Sequence, residues 1–292
     1  MKQIIQEGLI LPKNEFRISI ISACNMKCVY CHNEGNTKIS MLYIEDIKEI
    51  IEKSYGLGMT NVRLTGGEPL IHPQIFEICK MLTEEYGLKV GINTNCIESE
   101  KLLQLIECGW IDRVIVGLDY YDNKISKLSP IGKSSKEILE SILKIKEKGC
   151  DVTISNVYNN DYDNIYNLVK WCLDNKIRIK IIELIENKIC ENSDINYLQM
   201  RDSIIRDFNF DIRIDDLGEY HCYKEDFRIV SFFPSLCRLR RCDLCKKIHL
   251  RITSEGNIKQ CIHYNDNDRS VLGEDGRMNI VRELISEVNY HR

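Results

Sequence analysis

Proline is scarce in this chain, five in 292 residues, and tryptophan scarcer still at two. So few prolines exclude a proline-rich linker or a collagen-like repeat. No stretch approaches the roughly 18 uninterrupted apolar residues that a membrane helix needs. The first residues break their apolar run at Gln3, Gln6 and Glu7, then at Pro12 and Lys13, so a secretory-signal layout is missing. Neither sign of charge dominates. Lys and Arg number 40 against 44 Asp and Glu, a net charge of −4, and no broad electrostatic footprint for nucleic acid or an anionic membrane follows. The expectation is a cytoplasmic protein with no nucleic-acid or membrane partner.

Cysteine is the residue in excess, with fourteen. An exported disulfide scaffold is usually smaller and carries a signal. In a reducing compartment, cysteines at short spacings bind metal more often than they pair. Six of them, Cys79, Cys96, Cys108, Cys150, Cys172 and Cys190, stand singly and read as small apolar residues. The others fall mainly into one group near the start and one near the end.

Short β-branched runs alternate with amphipathic stretches. Strands are expected at Arg17–Ser22, Asn61–Thr65, Lys89–Asn93, Arg113–Gly117, Asp151–Ser155 and Arg178–Glu183. Helices are expected at Ile44–Tyr55, Pro73–Glu85, Glu98–Cys108, Ser134–Lys148 and Tyr162–Asp174. Strands alternating with helices imply a parallel sheet with right-handed crossovers. Six strands are too few for a closed eight-stranded barrel, so the expected fold is α/β, a partial (β/α)6 TIM-like barrel. After about Asp211 the rhythm changes to short strands, Tyr220–Lys224 and Ile229–Phe233, and a hairpin from His249–Thr253 turning at Glu255, Gly256 and Asn257. This divides the chain into a barrel, 1–215, and a small C-terminal subdomain, 216–292.

The first cysteine group, Cys24, Cys28 and Cys31, has the spacing C-x3-C-x2-C just after the first strand. Active sites in such sheets lie at the C-terminal strand ends, so this loop is in the right place. Three thiolates on one short loop suit three irons of a [4Fe–4S] cube and leave the fourth iron open. Zinc is the alternative, with His32 as the only nearby fourth ligand. The second strand ends in Gly66, Gly67, Glu68 and Pro69. Paired glycines let a ligand approach the backbone closely, and Glu68 is placed to orient an ammonium.

Together these segments resemble the radical S-adenosylmethionine (SAM) superfamily over about residues 14–215. The resemblance implies a cluster on Cys24, Cys28 and Cys31, with SAM contacts from Tyr30, Gly66, Gly67, Glu68, Pro69, Thr94, Asn95 and Asp119. It also implies reductive cleavage of SAM to a 5′-deoxyadenosyl radical that abstracts a substrate hydrogen. The electron would come from a flavodoxin- or ferredoxin-type donor.

The second group places Cys242 and Cys245 before a hairpin and Cys261 after it, with Cys237 as a further candidate ligand. Four thiolates would also suit zinc. Within the resemblance, the spacing is similar to a twitch-type subdomain holding an auxiliary [4Fe–4S] cluster. The segments Phe16–Ile20, Val62–Leu70, Arg178–Leu184 and Leu250–Gly256 resemble the GTP 3′,8-cyclase family of molybdenum-cofactor synthesis. That likeness implies a nucleotide whose phosphates meet Arg17, Arg63, Lys180 and Arg251. His249 stands where that family has arginine, Thr153 replaces a lysine and Gly117 a serine. Two other radical functions stay open: a maturase of ribosomal peptides, and a dehydrogenase or mutase of a small metabolite.

Overall fold

The computed structural model describes residues 11–28, 30–122, 134–184, 197–237, 239, 241–244, 250–259, 261 and 268–285. Its centre is built from six strands: β1 (Glu15–Ile21), β2 (Asn61–Gly66), β3 (Lys89–Thr94), β4 (Arg113–Gly117), β5 (Asp151–Val157) and β6 (Arg178–Ile182). They lie side by side in chain order and all are parallel. Five helices separate them: α1 (Ile44–Lys53), α2 (Ile75–Lys80), which runs into a π turn at Met81–Glu85, α3 (Ser99–Glu107), α4 (Ser135–Glu147) and α5 (Tyr162–Asp174). Each expected strand and helix is present, with ends shifted by a few residues.

The two faces of the strands differ because alternate residues point opposite ways. Phe16, Ile18, Ile20, Val62, Leu64, Val90, Ile92, Val114, Val116 and Ile154 are fully buried and form the main core with Ile47, Ile50, Leu102, Leu105, Ile142 and Leu168 of the helices. The residues between them on the other face are largely polar: Arg17, Ser19, Arg63, Thr65, Asn93, Arg113, Ser155 and Lys180. Helix α4 begins with a reciprocal cap. The Ser134 hydroxyl accepts from the Glu137 N–H, and the Glu137 carboxylate accepts from the Ser134 N–H.

The remaining elements finish both edges of the sheet. They are α6 (Tyr197–Phe208), β7 (Asp211–Ile214), β8 (Tyr220–Lys224), β9 (Phe227–Phe233), β10 (Leu250–Ile252), β11 (Asn257–Lys259), β12 (Arg269–Ser270) and α7 (Gly276–Ile285). Strand β9 adds in parallel to β6, and β8 and β7 follow it antiparallel. At the opposite edge β10 adds in parallel to β1, and β11 and β12 turn back. The described strands form one open sheet of twelve in the order β12-β11-β10-β1-β2-β3-β4-β5-β6-β9-β8-β7.

The sheet is curled. Tyr30, beyond the end of β1, donates a hydrogen bond to Asp119 beyond the end of β4. In a flat sheet those strands would be roughly 14 Å apart. Lys180 on β6 is electrostatically coupled to Arg63 on β2 and Arg113 on β4. The polar face is thus the inside of a partial barrel, a lumen rather than a packed core.

Because β9 and β10 cover the outer edges of β6 and β1, a chain cut after Asp215 leaves two long edges unpaired. Such a truncation is expected to be insoluble or aggregated on size exclusion. A soluble monomeric fragment would show that residues 11–215 close without those strands.

Candidate functional site: a cysteine loop over a polar lumen

The site is assembled where the exits of β1, β2, β3 and β4 meet. Gly67 N–H donates to Ile21 O at 2.6 Å, and Glu68 N–H donates to Ala23 O at 2.9 Å. The start of the cysteine loop therefore lies directly on the exit of β2. Only glycine permits this. A Cβ on Gly66 would stand 2.1 Å from Ile21 O, and one on Gly67 would stand 2.0 Å from Ala23 O. Gly66 also has φ of +148°, a backbone region closed to residues with side chains. The glycine pair expected to admit a ligand thus first admits the cysteine loop itself.

Glu68 is fully buried. Its Oε1 accepts from Leu70 N–H at 3.0 Å and from the Thr94 hydroxyl at 2.8 Å, and its Oε2 accepts from Asn95 N–H at 2.7 Å. Burial raises its pKa to about 7, while these three donors pull toward the charged form. Pro69 opens the short 3-10 turn Pro69–Ile71 that follows. Glu68 therefore splices β2 to β3 and fixes Thr94 and Asn95. The Asn95 side chain in turn donates to Asn25 Oδ1 at 2.7 Å, inside the cysteine loop. Asp119 is also buried; it accepts from Tyr30 and, through Oδ1, from Val157 N–H at 3.1 Å. Cys24, Cys28, Cys31, Tyr30, Gly66, Gly67, Glu68, Pro69, Thr94, Asn95 and Asp119 are thus joined at one end of the barrel.

The three thiols are available at the mouth. Cys24 and Cys31 are exposed and Cys28 is half-buried. Cys24 Sγ accepts from Met26 N–H and Cys31 Sγ from Asn33 N–H, each at 3.3 Å. Partial burial raises both thiol pKa values, and for Cys24 the neighbouring Glu68, Cys28 and Cys31 raise it further. A metal that binds thiolates as anions removes that penalty. Three sulfurs on one exposed loop, two already supplied with N–H donors, suit an iron–sulfur cluster.

Below the loop, Arg251, Arg17 and Arg63 are register partners across β10, β1 and β2. Arg17 pairs with Glu34. Arg63 is buried and donates to Glu15 Oε2 at 3.0 Å. Lys180 stands over the Phe233 ring, 5.5 Å from its centroid. Burial drops its pKa to about 7, helped by the charges of Arg63 and Lys13. Beside it is a group the sequence reading did not single out. Asp215, Glu219 and His221 bring ligand atoms within 4.8 Å of one another, and burial raises Glu219 to about 7. His221 Nδ1 lies 3.0 Å from Ser231 Oγ, and Ser231 is the register partner of Lys180. Only register in the folded sheet unites these residues.

In the second cysteine group, Cys237, Cys242 and Cys261 are half-buried. Cys245 and His249 lie outside the described residues, as does Cys190. Cys222, on β8, is fully buried in the core, and burial pushes its pKa up to about 12. The hairpin of β10 and β11 locks onto the tail of the first cysteine loop. Glu255 Oε1 accepts from Thr37 N–H, Thr37 Oγ1 and Lys38 N–H at 2.7–3.0 Å, and Ser254 N–H donates to Asn36 Oδ1 at 2.7 Å.

An open parallel barrel with a three-cysteine loop at its C-terminal strand ends defines an enzyme class that generates radicals from a cluster and SAM. The family model described as the radical SAM superfamily matches residues 18–179, more than half of the chain. The chain belongs to the radical SAM superfamily, which implies SAM and a [4Fe–4S] cluster. It is 27% identical to a GTP 3′,8-cyclase of Clostridium perfringens (strain 13 / Type A), covering 93% of this chain and 89% of that one. It is 26% identical to a probable GTP 3′,8-cyclase of Methanococcus maripaludis (strain C5 / ATCC BAA-1333), covering 91% and 92%. Among solved structures, Streptococcus suis SuiB bound to its precursor peptide SuiA superposes with a TM-score of 0.70 at 19% identity, covering 92% of this chain. The chain spans 64% of the length of SuiB, and that likeness is one of fold. No helix among the described residues is long and apolar enough to cross a membrane.

The glycine junction is testable directly. Gly67→Ala places a methyl against carbonyl oxygens that cannot yield without moving both strand exits. It is expected to destabilise the protein by about 2 kcal/mol or more and to lower iron uptake on anaerobic reconstitution. Thermal unfolding and an iron assay read the two effects. Unchanged values for both would show that the loops need no such contact.

Proposed function

We propose that this enzyme abstracts a hydrogen from a phosphorylated, nucleotide-type substrate held in the barrel lumen. The observation that carries the reading is the set of cations inside it. Arg251, Arg17 and Arg63 are aligned in register, and Lys180 is coupled to Arg63 across the lumen. Arg17 and Arg63 already have Glu34 and Glu15 as counter-ions, so it is the further positive charge of Lys180 and of Arg251 alongside them that an anionic ligand explains. The names carried by the curated relatives support a guanine nucleotide.

In this reading Cys24, Cys28 and Cys31 would hold a [4Fe–4S] cluster, which would supply the electron for SAM cleavage. Gly66 and Gly67 keep the cysteine loop flat on β2. Glu68 would hold Thr94 and Asn95 in place to bind SAM, and Asp119 would orient Tyr30 in the cysteine loop. Residues 216–292 form a functional unit carrying a second [4Fe–4S] cluster on Cys242, Cys245 and Cys261, with Cys237 as the remaining candidate. Arg17, Arg63, Lys180 and Arg251 line the substrate space, and His249, outside the described residues, is a candidate substrate contact by the resemblance alone. A flavodoxin or ferredoxin supplies the electron.

Reconstituted enzyme is expected to hold about eight irons, and about four after replacement of Cys24, Cys28 and Cys31. Stoichiometric zinc in place of the second set would remove the auxiliary cluster from the reading. With SAM, dithionite and a panel of nucleoside triphosphates, 5′-deoxyadenosine should rise with one nucleotide, GTP first, and mass spectrometry should find that nucleotide altered. Deoxyadenosine that ignores every nucleotide would end the nucleotide reading.

Lys180 adds a pH dependence. Its folded pKa is lowered to about 7, so its positive charge is present below that value and lost as pH rises through it. Anion binding should weaken between pH 6 and pH 8, and Lys180→Arg should flatten the change, because arginine stays charged. An equal decline in the Lys180→Arg enzyme would assign the dependence to another group.

A further inference from the structure

The side chain of Asn36 uses every hydrogen-bonding position it has. Its Nδ2 donates to Ser19 Oγ at 2.8 Å and to Asn33 O at 2.7 Å. Its Oδ1 accepts from Ser254 N–H at 2.7 Å and from Ser254 Oγ at 2.8 Å. A carboxamide has two donors and two acceptor lone pairs, so the group is saturated, and flipping it would set donors against donors. The backbone N–H of Asn36 also donates to Asn33 O, at 2.9 Å. Each partner belongs to a different part of the molecule. Ser19 is on the lumen face of β1, Asn33 lies two residues beyond Cys31, and Ser254 is in the turn between β10 and β11. Ser19 and Ser254 are buried, with 1% and 2% of their surface exposed, so water does not readily replace these bonds.

The bonds run in series to one of the three cysteines. Asn33 O accepts twice from Asn36, while Asn33 N–H donates to Cys31 Sγ at 3.3 Å. Asn33 has a left-handed φ of +47°, a conformation that persists where its surroundings impose it. Asn36 imposes it by gripping the carbonyl of the residue whose N–H faces the sulfur. The far end of the series is anchored as well. Ser254 Oγ meets Ser40 Oγ at 2.6 Å, and Ser40 N–H donates to Ser22 Oγ at 2.8 Å. Glu255 holds Thr37 and Lys38 beside them. A donor on a ligating sulfur has a redox consequence. Reduction puts negative charge on a cluster and its thiolates, and an N–H aimed at sulfur stabilises the reduced state more than the oxidised one.

We propose that Asn36 is a positioning residue for the first cluster: through it the β10–β11 turn holds the Asn33 N–H on Cys31 Sγ, so that the C-terminal segment sets the reduction potential of a cluster whose ligands all lie on the first loop. This rests on the reading that Cys24, Cys28 and Cys31 hold an iron–sulfur cluster. It gives the turn a task beyond completing the sheet edge at β1.

The test is the midpoint potential of the first cluster in anaerobically reconstituted enzyme, followed by visible absorbance and electron paramagnetic resonance. That cluster is the component lost on replacement of Cys24, Cys28 and Cys31. Asn36→Ala should make its potential more negative. Ser254→Ala, which removes one of the two donors to Oδ1, should shift it the same way by less. The double variant should go no further than Asn36→Ala, because both changes act along one series. In the apoprotein, deuterium uptake by a peptide spanning residues 31–36 should quicken about threefold in Asn36→Ala. A brace without this role would lower the melting temperature and leave the potential where it is. An unshifted potential in Asn36→Ala at equal iron content therefore overturns the proposal. If Asn36→Ala cannot hold the cluster, Ser254→Ala decides by the same measurement. Iron content and spectra that survive loss of all three cysteines would sink the cluster reading instead, and the redox role of Asn36 with it. Faster uptake in the Asn36→Ala apoprotein would then still show that Asn36 fixes the loop.

Discussion

The contact on which the site depends is a pair of backbone hydrogen bonds, from Gly67 to Ile21 and from Glu68 to Ala23. Neighbouring parallel strands normally diverge into separate loops at their C-terminal ends. Here the exits of β1 and β2 stay in contact past the last ladder pair, because two residues carry no Cβ. That junction gives the cysteine loop a rigid floor. It also buries Glu68, which must then find donors, and the donors available are on β3. One close approach thus ties three strand exits together, and Tyr30 with Asp119 adds the fourth. The cysteines can remain exposed because their loop is braced from below and not by its own packing.

Much of this was legible in the sequence. Most of the central strands alternate, as with Phe16, Ile18 and Ile20 on one face of β1 and Arg17 and Ser19 on the other, while β4 buries Val114, Ile115 and Val116 in a row. Cys24, Cys28, Cys31 and the Gly66–Pro69 segment sit at strand ends, where local pattern already places them. What escaped is of two kinds. Helix α6 buries only Tyr197, Met200 and Ile204 amid polar residues, too narrow a stripe to stand out, and α7 is similar. The second kind is long-range pairing. Nothing local tells β9 to seek β6 or β10 to seek β1, so the way the C-terminal segments complete the two sheet edges was not readable. The meeting of Asp215, Glu219 and His221 with Lys180 is a product of that pairing.

Glu34 shows the same limit at the scale of one residue. In the sequence it is one of 44 acidic residues, in a loop noted for its cysteines. Its significance comes from β1 carrying Arg17 inward and from β10 bringing Arg251 alongside. Once those cations are set side by side, a nearby carboxylate has a strong reason to turn inward. The loop accepts left-handed backbone at two residues to let it.

The lumen is thus graded in charge rather than uniformly basic. Under the cysteine loop Arg17 meets Glu34, and deeper in Arg63 meets Glu15. Toward β6 the balance is left to proton uptake: burial drives Lys180 down and Glu219 up to about 7. A buried lysine and carboxylate with pKa values of about 7 are each only partly ionised at neutral pH. An anion there restores the proton on Lys180 and recovers the electrostatic energy that burial withheld. At the Arg17 end an anion meets a cation already satisfied on one side.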